Sequence, residues 1–405
     1  MNPQSVAALV LAAGSSRRMG EFKPLLTLGG QTILERVIRL FRSIGVDRIH
    51  VVIGHRAAEL APRVDRCGAC SVLNTRHAEG MFTSVAAGVS SLDERTVSFF
   101  VLPVDIPLVR PATLRSLMEA YSAGTGGICH PTFQGRRGHP PLIGRRFKAV
   151  IADWQGEGGL RALLERFDAE AVEVPVADEF ILQDMDGPED HRRMGERLKT
   201  RAILSAAECR ALLIDIVKVS PAVWAHSQAV AEQALHIGRA LVASGCRLNL
   251  DLIYAAALVH DLARGAPDHA RRGGRMLRDL DLPLMAEIVE THMDLSVAEE
   301  DPVRESEVVF LADKLICEDR FVGLDGRFLP RLHNHQANAQ VEASIRSKWQ
   351  SARSSAARIE STICKPLAAV TRAAGETRLV ENSRAELPSS MPHSAKQHER
   401  PYDRG

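Results

Sequence analysis

The chain has 405 residues, of which 45% are hydrophobic and 25% charged, with 51 Lys+Arg against 50 Asp+Glu. That composition excludes a wholly disordered or fibrous chain, and the near-zero net charge excludes a broad positive field for nucleic acid or an anionic membrane. At roughly 100–200 residues per domain, two or three domains are expected. No apolar run reaches the roughly 18 residues of a membrane span. The run Val6–Ala13 lacks a basic leader and so reads as no signal peptide. Seven scattered cysteines predict reduced thiols rather than a disulfide framework. The expectation is a soluble cytoplasmic protein.

Strand-like and helix-like segments alternate through the first 200 residues. Val6–Ala13 predicts a fully buried strand, followed by a Gly/Ser/Arg loop. Ile33, Leu34, Val37, Ile38 and Phe41 give Thr32–Ile44 the spacing of an amphipathic helix. Strands are predicted at Asp47–Ile53 and Val97–Val104, and helices at Ser84–Ser90 and Ala112–Tyr121. This alternation implies an α/β fold: a Rossmann-like, mostly parallel sheet covered on both faces. Ligands of such sheets sit at the carboxyl ends of the strands, which directs attention to the loops after Ala13 and Val104. From Ala206 to about Thr371 the periodicity is almost only helical: Ser220–Ser244, Leu250–Arg264, Ala270–Leu280, Met285–His292 and Glu305–Asp319. Pro221, Pro283 and Pro302 mark helix starts. The expected organisation is an α/β domain over 1–200, an all-α domain over 205–372 and a disordered tail over 373–405. No internal repeat is visible.

The stretch Leu11-Ala12-Ala13-Gly14-Ser15-Ser16-Arg17-Arg18-Met19-Gly20, with Lys23 beyond it, follows the first strand. Small residues let backbone N–H groups approach phosphate oxygens, and Arg18 and Lys23 supply positive charge. Asp105 ends an apolar strand in Pro103-Val104-Asp105-Ile106-Pro107. Beside a cationic phosphate loop it reads as a Mg2+ ligand completed by substrate phosphates. Taken alone, such a loop is more often a solvated basic turn, and such an Asp a cap.

The opening stretch resembles the signature of the nucleotidyltransferases related to the molybdenum cofactor enzymes, and more specifically their cytidylyltransferases. Four further segments resemble that family in the expected order. They are Asn74…Glu79-Gly80-Met81 with Ser84; Pro103-Val104-Asp105-Ile106-Pro107; Gly138-His139-Pro140-Pro141; and Asp184-Met185-Asp186-Gly187-Pro188-Glu189-Asp190. The resemblance implies nucleotide binding by Leu11 to Ser16, Lys23, Asn74, Glu79, Gly80, Ser84 and Asp105. It also implies substrate binding by Gly138, His139 and Pro140, and Mg2+ held by Asp105 with Asp186. Asp184 competes equally for that last role, and Gly187 replaces the family's usual Thr. The implied reaction transfers CMP from CTP to molybdopterin cofactor with release of pyrophosphate, Arg18, Lys23 and Mg2+ neutralising charge. A molybdenum hydroxylase would be a client. A sugar phosphate remains open as the acceptor.

In the helical part, His226, His260-Asp261, His292 and Asp313 interrupt apolar helices, and buried imidazoles and carboxylates need partners that a metal supplies together. The ordered set His226…His260-Asp261…Asp313 resembles the HD superfamily of metal-dependent phosphohydrolases. His269 and His292 stand where some members hold a second metal. Mn2+, Fe2+ or Mg2+ would activate water there. This centre is expected to be a phosphohydrolase or a regulatory module, or even the main activity of the chain, acting on a nucleotide. Three weaker features complete the reading. Cys67-Gly68-Ala69-Cys70 reads as a surface turn. Arg136-Arg137 could touch phosphate or be solvated. Arg271, Arg272, Arg275 and Arg278 predict an exposed helix face.

Overall fold

The computed structural model describes residues 2–124, 127–295 and 301–371; the tail expected over 373–405 lies outside them. Ten strands belong to the first half: β1 (Val6–Leu11), β2 (Thr27–Leu28), β3 (Gln31–Thr32), β4 (Arg48–Ile53), β5 (Cys70–Leu73), β6 (Ser98–Pro103), β7 (Ile128–Phe133), β8 (Arg136–Arg137), β9 (Leu142–Gly144) and β10 (Ala171–Pro175). The main sheet runs β10-β7-β9-β6-β1-β4-β5, with β8 paired to β7. β1 is parallel to β4 and β6, while β9 is antiparallel to both its neighbours. Alternate residues of β1 enter opposite layers. Val6, Ala8 and Val10 pack with the helix Ile33–Arg42, and Ala7, Leu9 and Leu11 with the helix Met81–Ser90. Burial on both faces explains the unbroken apolar run that marked this strand in the sequence.

The predicted α/β class holds, with shifts at the ends of elements. β1 stops at Leu11, because Ala12 and Ala13 already turn into the loop. The helix predicted over Ala112–Tyr121 starts one residue earlier, at Pro111, where a missing N–H costs nothing. The strands β5, β7, β9 and β10 carry no alternation strong enough to read from sequence.

A second core fills the helical half. The helices Pro221–Ala243, Leu250–Val259, His269–Asp279, Pro283–Thr291 and Glu305–Leu315 follow the predicted segments. Two ends are shorter than predicted. The helix from Leu250 stops at Val259, so His260 and Asp261 lie in the turn that follows it. The helix from Glu305 stops at Leu315, where a short hairpin begins, β11 (Ile316–Cys317) with β12 (Arg320–Phe321). That hairpin departs from the predicted all-helical architecture. Helices Gly323–Asn334 and Ala339–Ile363 complete the half. No helix among the described residues is long and apolar enough to cross a membrane. All seven cysteines are free, and Cys67–Cys70 is a turn leading into β5.

One buried residue sets a pH dependence for the fold. His130, in β7, is 7% exposed, its Nε2 has no hydrogen-bond partner, and burial pulls its pKa down to about 4. The unfolded chain takes up this proton near pH 6.5 and the folded chain only near 4, so stability is full above 6.5 and falls as pH drops through that window. The loss is about 3 kcal/mol. Urea titrations between pH 7.5 and 4.5 should show it. His130→Phe should have a shallower fall than the wild type; equal slopes would refute the assignment.

Candidate active sites

The carboxyl ends of β1, β4, β5 and β6 open into a cleft of about 610 Å³. Leu11, Ala12, Ala13, Gly14, Ser15, Ser16, Lys23, Gly80, Ser84 and Asp105 all line it. The loop doubles back because Ser16 adopts a left-handed backbone, φ 54°, and its Oγ accepts a hydrogen bond from the Lys23 N–H at 3.0 Å. A methyl group at Gly14 would meet nothing within 4 Å, so the backbone there faces open space.

The charged groups converge from three segments. Lys23 Nζ donates to Asp105 Oδ2 at 3.1 Å and to Asp186 Oδ1 at 3.0 Å, and Arg18 donates to Asp186 Oδ2 at 2.6 Å. Burial works against the Lys23 charge, but Asp105 and Asp186 outweigh it and raise its pKa. The Lys23 hydrogen bond in turn lowers that of Asp186. The Met185 N–H donates to the Asp105 carbonyl at 2.9 Å, which fixes the closing segment against the end of β6. This geometry separates the two acids that the sequence left equal: Asp186 shares an ammonium with Asp105, whereas Asp184 is exposed. Gly187 leaves its turn intact, because Asp190 Oδ2 accepts from the N–H groups of both Asp186 and Gly187.

Asp105 and Asp186 each direct one oxygen at the same lysine ammonium, and they are the residues that would hold a divalent ion here. Two carboxylates are a sparse protein set, which suits Mg2+ completed by phosphates. Asn74 lies behind the cleft, buried, donating to Thr83 and Ser84 Oγ at 2.9 Å each. Glu79 does not line the cleft and pairs instead with Arg76. Gly138, His139 and Pro140 lie off the cleft wall, tied back through the His139 N–H to the Ile181 carbonyl. Burial lowers the pKa of the His139 ring, opposed by a backbone hydrogen bond to Val101 and by the charges of Asp105 and Asp184. Arg137 is taken up by Asp168 and Glu173. Sequence reasoning missed His55 and His77, which line the cleft from the ends of β4 and β5; no spacing marked them.

The second site gathers all six expected residues. Asp261 Oδ2 lies 3.7 Å from His226 Nε2 and 3.5 Å from His260 Nε2. Its Oδ1 lies 3.3 Å from His269 Nε2 and 3.6 Å from His292 Nε2. Asp313 Oδ1 completes the first group, 3.2 Å from His226 Nε2 and 3.7 Å from His260 Nε2. One carboxylate thus joins two ligand triads, His226/His260/Asp261 and Asp261/His269/His292.

The ring orientations follow from the backbone. His226, His260 and His292 each place Nδ1 against a carbonyl, of Glu318, Ala257 and Val289, at 2.6–2.7 Å. Carbonyls only accept, so Nδ1 carries a hydrogen and Nε2 is the ring atom turned toward the carboxylates. The Nε2 atoms of His260 and His292 are buried with no hydrogen-bond partner. Buried ring nitrogens gathered with carboxylates are what a metal satisfies. Burial opposes ionisation of Asp313, but Lys314, His226 and His260 outweigh it and hold its pKa well below the usual range. Arg264 on Asp261, and Lys314 with Arg327 on Asp313, add cations beside the cluster. Sequence reasoning singled out none of these cations; Arg264 lies only three residues beyond Asp261, whereas Arg327 comes from a separate helix. Arg271, Arg272, Arg275 and Arg278 lie on an exposed face, as expected.

A parallel sheet with its cleft at the strand ends is the layout of an enzyme that handles a nucleotide, and the buried imidazole cluster is that of a metal-binding helical domain. Residues 8–172 match the MobA-like NTP transferase domain and residues 223–316 match the HD domain. The chain thus carries a domain that matches the MobA-like NTP transferases, followed by a domain that matches the HD family. The molybdenum cofactor cytidylyltransferase of Escherichia coli is 28% identical, over 48% of this chain and 97% of that enzyme. The bifunctional protein GlmU of Corynebacterium diphtheriae is 33% identical over 33% of this chain. The chain spans only about a third of the length of the GlmU relatives it matches. A solved nucleotidyl transferase from Methanothermobacter thermautotroptrophicus aligns with TM-score 0.41 and 26% identity, over 48% of this chain and 98% of that one.

Proposed function

We propose that the first domain transfers a nucleoside monophosphate from a triphosphate to a phosphorylated acceptor, and that the pair is CTP and molybdopterin cofactor. The observation that carries the reading is the Lys23 ammonium shared by Asp105 and Asp186 at the mouth of a cleft lined by Leu11 to Ser16. Asp105 and Asp186 would hold a divalent ion, which would neutralise charge on the triphosphate. Lys23 then turns from the carboxylates to a phosphate oxygen, Arg18 covers the leaving pyrophosphate, and the loop's N–H groups hold the chain of phosphates. The acceptor phosphate attacks the α-phosphorus and pyrophosphate leaves; positioning and charge do the work, with no covalent nucleophile. Match along nearly the whole cytidylyltransferase of Escherichia coli, against a third of GlmU, favours molybdopterin over a sugar phosphate. A molybdenum hydroxylase would receive the product.

The test is pyrophosphate release from CTP, GTP and ATP with Mg2+, in the presence of molybdopterin or of a sugar phosphate. Release with CTP and molybdopterin is expected. Release only with a sugar phosphate would move the chain to that acceptor class, and none with any pair would refute the transferase reading.

For the helical domain we propose a metal-dependent phosphohydrolase centre holding Mn2+ or Fe2+ on His226, His260, Asp261, His292 and Asp313, with His269 at the outer edge. The ion supplies an activated water. Lys314 and Arg327 offset the Asp313 charge, and Arg264, with its side chain 49% exposed, is placed to meet an incoming phosphate.

A further inference from the structure

The loop that carries Asp105 is not held by the α/β half alone. Five residues after Asp105, the Arg110 side chain is 7% exposed and the Glu208 carboxylate facing it fully buried. Arg110 donates to both oxygens of Glu208, at 3.1 to 3.3 Å, and through its other terminal nitrogen to the Arg201 carbonyl at 2.7 Å. Arg201 reaches back to the carbonyls of Leu108 and Val109, at 3.1 and 2.6 Å. The Arg110 N–H is fixed by Asp178 at 2.7 Å. Arg110 and the carbonyls of Leu108 and Val109 are therefore met by Asp178, Arg201 and Glu208, and Glu208 supplies the carboxylate on the guanidinium.

Glu208 belongs to the helical half. It closes a capping box with Ser205 at the start of the helix Ala206–Arg210, and its neighbour Cys209 is buried in the second core. The Leu204 N–H faces the sulfur of Met285, in the helix Pro283–Thr291 that ends beside His292. A second tie runs in parallel: Arg115 donates to the Asp279 carbonyl at 2.9 Å and to Asp281 at 2.7 Å. Those acids end the helix His269–Asp279, which begins with His269. One helical hairpin thus has two metal-centre histidines at one end and the transferase half at the other.

We propose that Arg110 is a positioning residue of the transferase site, set from the helical half by Glu208. A guanidinium buried this deeply keeps its place only while its partners stay in register. Loss of the Glu208 carboxylate leaves the Ile106–Arg110 segment only its ties to Asp178 and Arg201, and so loosens the orientation of Asp105 toward Lys23 and a bound ion. The proposal rests on the transferase reading of the cleft.

The test uses the full chain and two variants, Glu208→Gln and Arg115→Ala. The readouts are amide hydrogen exchange and calorimetric binding of CTP in the presence of Mg2+. In Glu208→Gln, exchange in peptides spanning 103–112 should rise while β1 and β4 keep their protection, and CTP binding should weaken about tenfold. Arg115→Ala, which removes an exposed tie, should weaken it about threefold. If Glu208→Gln does not fold, Arg115→Ala decides alone. A wild type that binds CTP, with folded variants that bind it as tightly, overturns this inference alone. A wild type that binds no CTP overturns the transferase reading and this inference together.

Discussion

Asp105→Asn is expected to lower pyrophosphate release by about three orders of magnitude, the loss typical when a charge-stabilising group is removed from a preorganised site. The amide keeps the shape of the carboxylate but not its charge. Lys23 and Asp186 would remain 3.0 Å apart and close on each other as a simple ion pair, leaving one carboxylate where an ion needs two. Asp186→Asn should cost nearly as much, because it also releases Arg18. Asp184→Asn should stay within about twofold, since surface substitutions away from such contacts change little. Steady-state rates over a Mg2+ series would check this; equal losses in the 184 and 186 variants would refute the assignment of the second acid. None of the three should change the metal content of the helical domain.

Asp261→Ala is expected to strip that domain of bound metal altogether, because this one carboxylate faces four imidazoles. His226 and His260 lie on its Oδ2 side, His269 and His292 on its Oδ1 side. Removing it leaves the buried His292 Nε2 without a carboxylate and the Arg264 guanidinium without its partner, so the domain should also lose about 3 kcal/mol of stability. His269→Ala should act differently. Its side chain is 24% exposed and serves only the outer triad, so metal per chain should fall by about half while the inner group keeps its ion. Metal analysis of the purified variants, with phosphatase assays on a nucleotide, separates these outcomes. An Asp261→Ala chain that retains its full metal content would sink the shared-carboxylate arrangement. Transferase activity should persist in it, since none of its direct contacts reaches the cleft.

Much of both sites was legible in the residues alone, for different reasons. The phosphate loop announced itself because Gly14, Ser15 and Ser16 follow a strand buried on both faces, and a buried strand reads as an unbroken apolar run. The metal cluster announced itself because His260 and Asp261 follow directly on an apolar helical run and Asp313 interrupts another. Long-range choices were not legible. Asp184 and Asp186 have the same chemistry two residues apart; which one meets Lys23 depends on the turn that pins Met185 to the Asp105 carbonyl. Glu79 stood in a quoted motif, yet its neighbour Arg76 takes it up locally and leaves it outside the cleft.

The sequence by itself determined the alternation of strands and helices, the switch to a helical half, and the chemical identity of the acids, bases and cations. Those properties are local: hydrophobic period, small residues after a strand, polar residues set in apolar faces. Only the tertiary structure decided that β9 runs antiparallel inside the sheet, that Arg327 comes to the metal centre, and that Arg110 is buried against Glu208, 98 positions away. Pairings of that kind depend on how two cores pack together, and no spacing along a chain records them.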